Sequence, residues 1–210
     1  MKCRVLLADD HDVVRQGFRA LLEREGVEVV GEAADGREAL RLAEALQPDV
    51  AVLDLSMPVL NGLDAARTML QSRPKLGVVL LTMHTDEQHI IAALRAGVRG
   101  YVVKTEAAAA LTEAIRQVAE GLTYLTPSVT RLVVEAYLAG REAPPNPLTP
   151  RESEVLQLVA EGRTTKEVAS ILKLTVKTAE SYRARIMEKL DIHETAGLVR
   201  YAIRRGIIQP

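Results

Sequence analysis

The chain has 210 residues, 48% of them hydrophobic and 26% charged, with a net charge of −1. That length exceeds one compact α/β domain of ordinary size and suits two smaller domains, and the composition excludes a disordered, collagen-like or disulfide-scaffolded chain. Residues 1–147 carry a net −4 and residues 148–210 a net +3, a hint of a nucleic-acid partner for the C-terminal part. The single cysteine, Cys3, cannot form an internal disulfide, which fits a reducing cytosol. Only four apolar residues, Val5 to Ala8, precede Asp9 and Asp10, unlike a secretory signal. No stretch approaches the roughly 20 apolar residues needed to cross a bilayer. A cytoplasmic protein without a membrane partner is expected.

The first 120 residues alternate short apolar runs with amphipathic segments. The runs are Arg4–Ala8, Val27–Ala33, Val50–Leu53, Val78–Thr82 and Gly100–Val103, and their Val and Leu content suits strands buried on both faces. Helical periodicity follows each, over Val13–Glu25, Gly36–Leu46, Leu63–Gln71, Glu87–Ala96 and Ala107–Glu120. Five strand–helix units in succession predict a doubly wound, parallel α/β sheet. Polar chemistry in such sheets collects beyond the carboxyl ends of the strands. After Gly121, Leu122–Val134 mixes turn residues with a short apolar helix candidate, and Pro144, Pro145, Pro147 and Pro150 mark a linker. Beyond it the pattern is wholly helical: Pro150–Glu161, Thr165–Leu172, Val176–Leu190 and Glu194–Arg205.

Three carboxylates fall where the chemistry of the sheet belongs. Asp9 and Asp10 follow the first strand and Asp54 ends the third, and in a doubly wound order these strands are neighbours. Converging carboxylates repel, and a hard cation relieves them; Mg²⁺ takes oxygen ligands and needs few carboxylates. Thr82 ends the fourth strand with a hydroxyl for a phosphoryl oxygen, and Lys104 ends the fifth with a cation for another. Transfer of a phosphoryl group to a carboxylate gives an aspartyl phosphate, with positioning and charge stabilisation as the protein's share. Singly, each residue reads as a helix cap, a strand residue or a solvated charge; together, at the ends of four strands, they point to a site. His11, His84, His89 and His193 show no ligand spacing and read as plain surface or loop residues.

The pattern resembles the receiver domains of response regulators. The matching residues are Asp9-Asp10, Asp54 with Met57-Pro58 and Gly62, Thr82, Tyr101 and Lys104. The resemblance implies a flavodoxin-like five-stranded sheet of order 2-1-3-4-5, and Asp54 as acceptor of phosphate from a sensor histidine kinase. It also implies Mg²⁺ held by Asp9, Asp10, Asp54 and a backbone carbonyl near Leu55 or Ser56. Thr82 and Tyr101 would form the switch pair, the ring following the threonine inward. Thr105 stands where many receivers carry proline, which leaves the isomer of the Lys104–Thr105 bond open.

In the last part, Thr149 can cap a helix with Pro150 in its first turn and Glu152 placed for a capping box. Val155, Leu156, Leu158 and Val159 form its apolar face, and Gly162 stops it. Thr164 or Thr165 opens a second helix that buries Val168, Ala169, Ile171 and Leu172. Lys173-Leu174-Thr175 is a tight turn, and Thr175 caps a third helix whose inward side is Val176, Ala179, Ile186 and Leu190. Two short helices, a tight turn and this third helix suit a reader for the major groove. The candidate DNA-facing residues are Thr175, Lys177, Thr178, Glu180, Ser181, Arg183, Ala184, Arg185 and Lys189.

This half resembles the LuxR-type helix-turn-helix through Leu148-Thr149-Pro150-Arg151-Glu152, Val155-Leu156, Gly162, Lys166-Glu167-Val168-Ala169, Val176-Lys177-Thr178-Ala179-Glu180, Arg183 and Ile186-Met187-Glu188-Lys189-Leu190. The whole chain resembles NarL/FixJ-class response regulators: a receiver over 1–122, a linker over 123–147 and an all-α, four-helix domain over 148–210. The resemblance implies phosphorylation-controlled binding to double-stranded DNA as a homodimer, with Glu194–Arg205 as the dimerising helix. Two alternatives remain at this point. A Mg²⁺-dependent phosphatase or phosphotransferase would need a second acid/base and a substrate cap, neither of which is visible. A DNA-binding regulator independent of phosphorylation would not need the intact pocket.

Overall fold

A computed structural model describes residues 3–83, 87–139 and 146–208. The chain divides into two compact units, and the division falls in the proline-rich stretch near residue 144.

The first unit runs β1 (Arg4–Ala8), α1 (Asp12–Arg24), β2 (Glu28–Ala33), α2 (Gly36–Leu46), β3 (Val50–Asp54), α3 (Gly62–Ser72), β4 (Gly77–Thr82), α4 (Glu87–Arg95), β5 (Gly100–Val103) and α5 (Ala107–Ala119), then β6 (Tyr124–Leu125) and α6 (Pro127–Leu138). The sheet is parallel, in the order β2-β1-β3-β4-β5-β6. The strands expected from the sequence are all present, with one more at the edge, so the sheet has six strands rather than five.

Burial explains why these runs carry no polar alternation. Val5 to Ala8 on β1, Val50 to Leu53 on β3, Val78 to Leu81 on β4 and Tyr101 to Val103 on β5 are all buried. One face of the sheet meets α1 and α5: Val5, Leu7, Val52, Val79 and Leu81 share a core with Leu22, Leu111, Ile115 and Val118. The two edge strands, β2 and β6, keep partial exposure along most of their length.

The segment after Gly121 corrects the linker expected over 123–147. Tyr124 and Leu125 add a parallel strand opposite Gly100 and Tyr101. Thr126 and Pro127 then start α6, which buries Val129 and Ala136 and packs on α4. A strand of two residues has no readable periodicity; the edge of β5 supplies its hydrogen bonds instead. Gly140 to Pro145 lie outside the described residues.

The second unit comprises α7 (Pro150–Ala160), α8 (Thr165–Ile171), α9 (Val176–Leu190) and α10 (Thr195–Arg204). Thr149 caps α7 in a reciprocal capping box with Glu152, and Thr164 with Glu167 repeats the device on α8. Gly162, at φ +81°, takes the left-handed conformation that ends α7. Leu148, Val155, Leu156, Val168, Leu172, Ala179, Ile186, Leu198 and Ala202 form the core of this unit.

Candidate functional site

The carboxyl ends of β1, β3, β4 and β5 bring Asp9, Asp54, Thr82 and Lys104 to one edge of the sheet. Asp9 follows β1 and is held by its amide, which donates to the Ala33 carbonyl at 3.1 Å. It is fully buried, and Asp54 is nearly so, at 3% exposure. Lys104 Nζ bridges them, 2.7 Å from Asp9 Oδ2 and 3.0 Å from Asp54 Oδ2. The cation therefore neutralises the pair from one side. Asp10, on the outer side, has a partly exposed carboxylate.

Electrostatics follow from that crowding. Burial raises the Asp54 pKa above the ordinary carboxylate value and the nearby Asp9 charge raises it further, against the opposing pull of Lys104 and the Ser56 amide. Burial would lower the Lys104 pKa, but Asp54 and Asp9 outweigh it and the net shift is upward, so the ammonium stays charged. Ser56, expected near a ligand carbonyl, contributes its backbone N–H to the Asp54 carboxylate. Thr82 is buried at the end of β4, and its carbonyl accepts the Lys104 amide at 2.7 Å. The Lys104–Thr105 peptide is trans. Tyr101 is fully buried, in register with Leu80 on one side and Leu125 on the other. The inward ring position is thus the one adopted here.

The main chain around Asp54 is tightly set. Leu55 donates to the Leu81 carbonyl at 2.8 Å, and the Gly62 amide donates to the Leu55 carbonyl at 2.9 Å. A Cβ on Gly62 would stand 2.1 Å from the Asp54 carbonyl oxygen, so only glycine lets α3 approach the acceptor strand this closely. Asn61 fixes the start of that helix by accepting from the Asp64 amide at 2.9 Å.

Two further residues lie at this edge: His11, read from the sequence as a plain loop residue, and Arg15, which the sequence reading did not single out. His11 Nδ1 lies 2.8 Å from Asp10 Oδ1 and 3.5 Å from Asp9 Oδ1, although its ring is mostly exposed. Ligand atoms of Asp9, Asp10, His11 and Asp54 all fall within 4.8 Å of one another. Three carboxylates fit a hard divalent cation such as Mg²⁺. Arg15 reaches back from α1 to the Asp9 carbonyl. Its only signal in the sequence is its place four residues after His11, one turn along the helix. Among the other histidines, His193 is exposed beside Asp191, and His84 lies outside the described residues.

On the second unit, α9 presents a polar stripe opposite its core face. Ala179 and Ile186 are buried, while Lys177, Glu180, Ala184 and Arg185 are exposed and Thr178, Ser181 and Arg183 are half-buried. Thr175 caps the helix by accepting from the Thr178 amide at 3.1 Å. Lys173, at φ +54°, turns the chain between α8 and α9. One side chain departs from the sequence reading, and two others have partners within this unit. Val176, expected inward, is 40% exposed at the leading end of α9. Lys189, expected outward toward DNA, pairs with buried Glu152. Arg183 donates to Thr195 at the start of α10. Arg185 lies over the Tyr182 ring, its guanidinium carbon 5.4 Å from the centroid.

Comparison with known proteins matches both units. Residues 5–116 fit the response regulator receiver domain, and residues 146–202 fit the bacterial regulatory proteins of the luxR family. The transcriptional regulatory protein MctR of Rhizobium johnstonii is 38% identical, with 99% of this chain and 96% of that protein aligned. The oxygen regulatory protein NreC of Staphylococcus carnosus is also 38% identical, over 98% of this chain and 99% of its own. LiaR of Bacillus subtilis is 37% identical at the same coverage. Among solved structures, a complex of the response regulator RcsB with DNA aligns at a TM-score of 0.61 and 32% identity, over 96% of this chain and 98% of that one. MctR and LiaR are transcriptional regulatory proteins; in this chain, no helix among the described residues is long and apolar enough to cross a membrane. The chain belongs to the NarL/FixJ-class response regulators of two-component systems, in which a receiver domain controls a LuxR-type DNA-binding domain that regulates transcription.

Proposed function

We propose that Asp54 is the phosphoacceptor and that its phosphorylation by a sensor histidine kinase controls dimerisation and DNA binding through α9. The observation that carries this reading is the Lys104 ammonium set between Asp9 and Asp54, at 2.7 and 3.0 Å. In the transfer, an Asp54 carboxylate oxygen bonds to the phosphorus of the kinase phosphohistidine as the phosphorus–nitrogen bond breaks and the imidazole leaves with the electron pair. Asp9, Asp10 and Asp54 would hold Mg²⁺, with a main-chain carbonyl beside Ser56, and the ion when bound supplies charge neutralisation for the incoming phosphoryl oxygens. Lys104 would move from pairing two carboxylates to pairing a phosphoryl oxygen, and Thr82 would donate its hydroxyl to another. Tyr101 would follow Thr82. The catalysis would be confined to the chain's own phosphorylation and dephosphorylation.

On the output side, Lys177, Thr178, Ser181, Ala184 and Arg185 would face the major groove and the flanking phosphates, with Thr175 and Glu180 at the rim. α10 would carry the homodimer contact, as it packs on α7 through Leu198 and Ala202 and leaves Ala196 and Arg200 exposed. The receiver would occupy 1–122 with β6 and α6 appended, and the DNA-binding domain 148–210. The activity would be cytoplasmic.

The test uses acetyl phosphate with Mg²⁺ as phosphodonor. Wild-type protein is expected to gain one acid-labile phosphoryl group, detected by intact mass, and Asp54→Asn none. Beryllofluoride is expected to increase recovery of bound genomic DNA fragments by wild type but not by Lys177→Ala. Stoichiometric labelling of Asp54→Asn would defeat the acceptor assignment, and footprints indifferent to beryllofluoride would favour a regulator independent of phosphorylation.

A further inference from the structure

We propose that Arg15 is the positioning residue of the acidic pocket: its guanidinium holds the main chain of Asp9 so that the carboxylate stays aimed at the cation and at Asp54. The inference rests on the reading of Asp9, Asp10 and Asp54 as the cation-binding carboxylates.

Arg15 stands in the first turns of α1, and its side chain is only 14% exposed. Two of its nitrogens donate hydrogen bonds, and the third stands in an ion pair. Nη1 donates to the Asp9 carbonyl at 2.6 Å, Nη2 donates to the Asp12 carboxylate at 2.6 Å, and Nε lies 3.3 Å from Glu32 Oε2 on β2. Its own amide donates to the His11 carbonyl at 3.0 Å. The turn from Asp9 to Asp12 is thereby closed by one side chain. Glu32 is in turn fixed by Arg19 and by Gln16, whose Nε2 donates to it at 3.0 Å.

The need for such a clamp is electrostatic. Carboxylates gathered within 4.8 Å repel one another, and the exposed turn that carries two of them would relax by swinging away. Asp9 is instead held on every side. Its amide is bound to β2, its Oδ1 accepts the His11 amide at 2.9 Å, its Oδ2 pairs with Lys104, and its carbonyl is bound by Arg15. Lysine would not reproduce this fork: its donors radiate from one nitrogen, whereas the guanidinium reaches the Asp9 carbonyl and the Asp12 carboxylate from two separate nitrogens. Arg15 bonds the Asp9 main chain and not the pocket carboxylates, so its role is exercised through Asp9.

Full-length protein and Mn²⁺ test the inference, with free Mn²⁺ counted by electron paramagnetic resonance and unfolding by urea followed in parallel. Arg15→Lys is expected to weaken Mn²⁺ binding by about tenfold or more, the usual effect of removing a group that orients a ligand. Glu32→Gln and Asp12→Asn, which each remove another partner of Arg15 but keep the Asp9 contact, are expected to bind Mn²⁺ close to wild type. Wild-type affinity in Arg15→Lys overturns the inference, as does an equal loss in all three variants, which would reduce Arg15 to general support of the turn. In wild type itself, the Arg15 side-chain N–H signals are expected to exchange slowly with water and to shift on Mg²⁺ titration; rapid exchange overturns the inference whether or not any variant folds. Wild-type protein that binds no Mn²⁺, or Asp9→Asn that binds it normally, overturns the pocket reading together with it.

Discussion

Lys189 Nζ, near the end of α9, lies 2.7 Å from Oε2 of Glu152 in the first turn of α7. The same carboxylate oxygen accepts from the Thr149 amide and hydroxyl at 2.8 and 2.9 Å. Glu152 is 3% exposed, so one buried oxygen ties the cap of the first output helix to the far end of the reader. Lys189 is therefore paired within the domain, although its side chain stays partly exposed. Replacing Lys189 with alanine is expected to destabilise the DNA-binding domain by about 1–3 kcal/mol, the range for a hydrogen bond to a charged group. It should leave the salt dependence of binding to non-specific duplex DNA unchanged. Lys177→Ala should do the reverse, lowering the slope of log affinity against log salt by about one with little effect on stability. Equal slopes for Lys177→Ala and wild type would remove Lys177 from the phosphate-contacting face.

Glu152 also gives this domain a definite response to acid. Burial alone would raise its pKa, but hydrogen bonds from Lys189 and Thr149 outweigh burial and hold it below the ordinary glutamate value. A carboxylate with a depressed folded pKa stabilises the fold above its unfolded pKa and loses that contribution as pH falls through the folded one. Wild type should therefore melt higher than Glu152→Gln at neutral pH, and the gap should narrow below roughly pH 4. A gap that stays constant from neutral to acid pH would show that the pair contributes through packing and not through charge.

Much of this was legible in the chain itself, and the exceptions have physical causes. Apolar runs such as Val50–Leu53 show β3 because both of its faces are buried, and the residues that end β1, β3, β4 and β5 mark the pocket. Tyr124-Leu125 escaped because two residues carry no period and the strand depends on its neighbour. Val176 departs from helical periodicity, which sorts faces but is blind to helix ends. At the leading end Val176 clears the core, and near the other end a long lysine folds back to a buried acid. The tie of Arg15 to the pocket is hard to read because it runs to a backbone carbonyl, which no side-chain pattern announces.

The buried acceptor predicts a stability effect opposite to that of Glu152. Burial and the Asp9 charge raise the Asp54 pKa despite Lys104. A carboxyl with a raised folded pKa adds stability that is complete below its unfolded pKa and lost as pH rises through the folded one. At neutral pH and without divalent cation, Asp54 is thus a net burden on the receiver. Asp54→Asn should melt above wild type in EDTA at pH 7, with the difference shrinking toward roughly pH 4. Adding Mg²⁺ should raise the wild-type melting temperature more than that of the variant. A variant less stable than wild type in EDTA would mean that the Lys104 ion pairs outweigh the burial of the charge.

Gly62 gives the sharpest steric test of how the acceptor is held. A methyl group there would lie 2.1 Å from the Asp54 carbonyl oxygen and 3.1 Å from Leu55 Cα, both main-chain atoms that cannot rotate away. Relief requires α3 to lift from β3 or the end of β3 to shift, and either displaces the carboxylate relative to Lys104. Overpacking of this kind costs about 1–3 kcal/mol, and more where backbone must move. Gly62→Ala is therefore expected to lower the urea midpoint and to slow phosphorylation by acetyl phosphate. Ala65→Gly on the same helix, which removes a buried methyl without a backbone clash, should lose comparable stability yet keep the phosphorylation rate. If both variants lose stability and rate in proportion, the rate follows folding alone. If Gly62→Ala is phosphorylated more slowly at matched stability, the close approach of α3 to Asp54 sets the geometry of the acceptor.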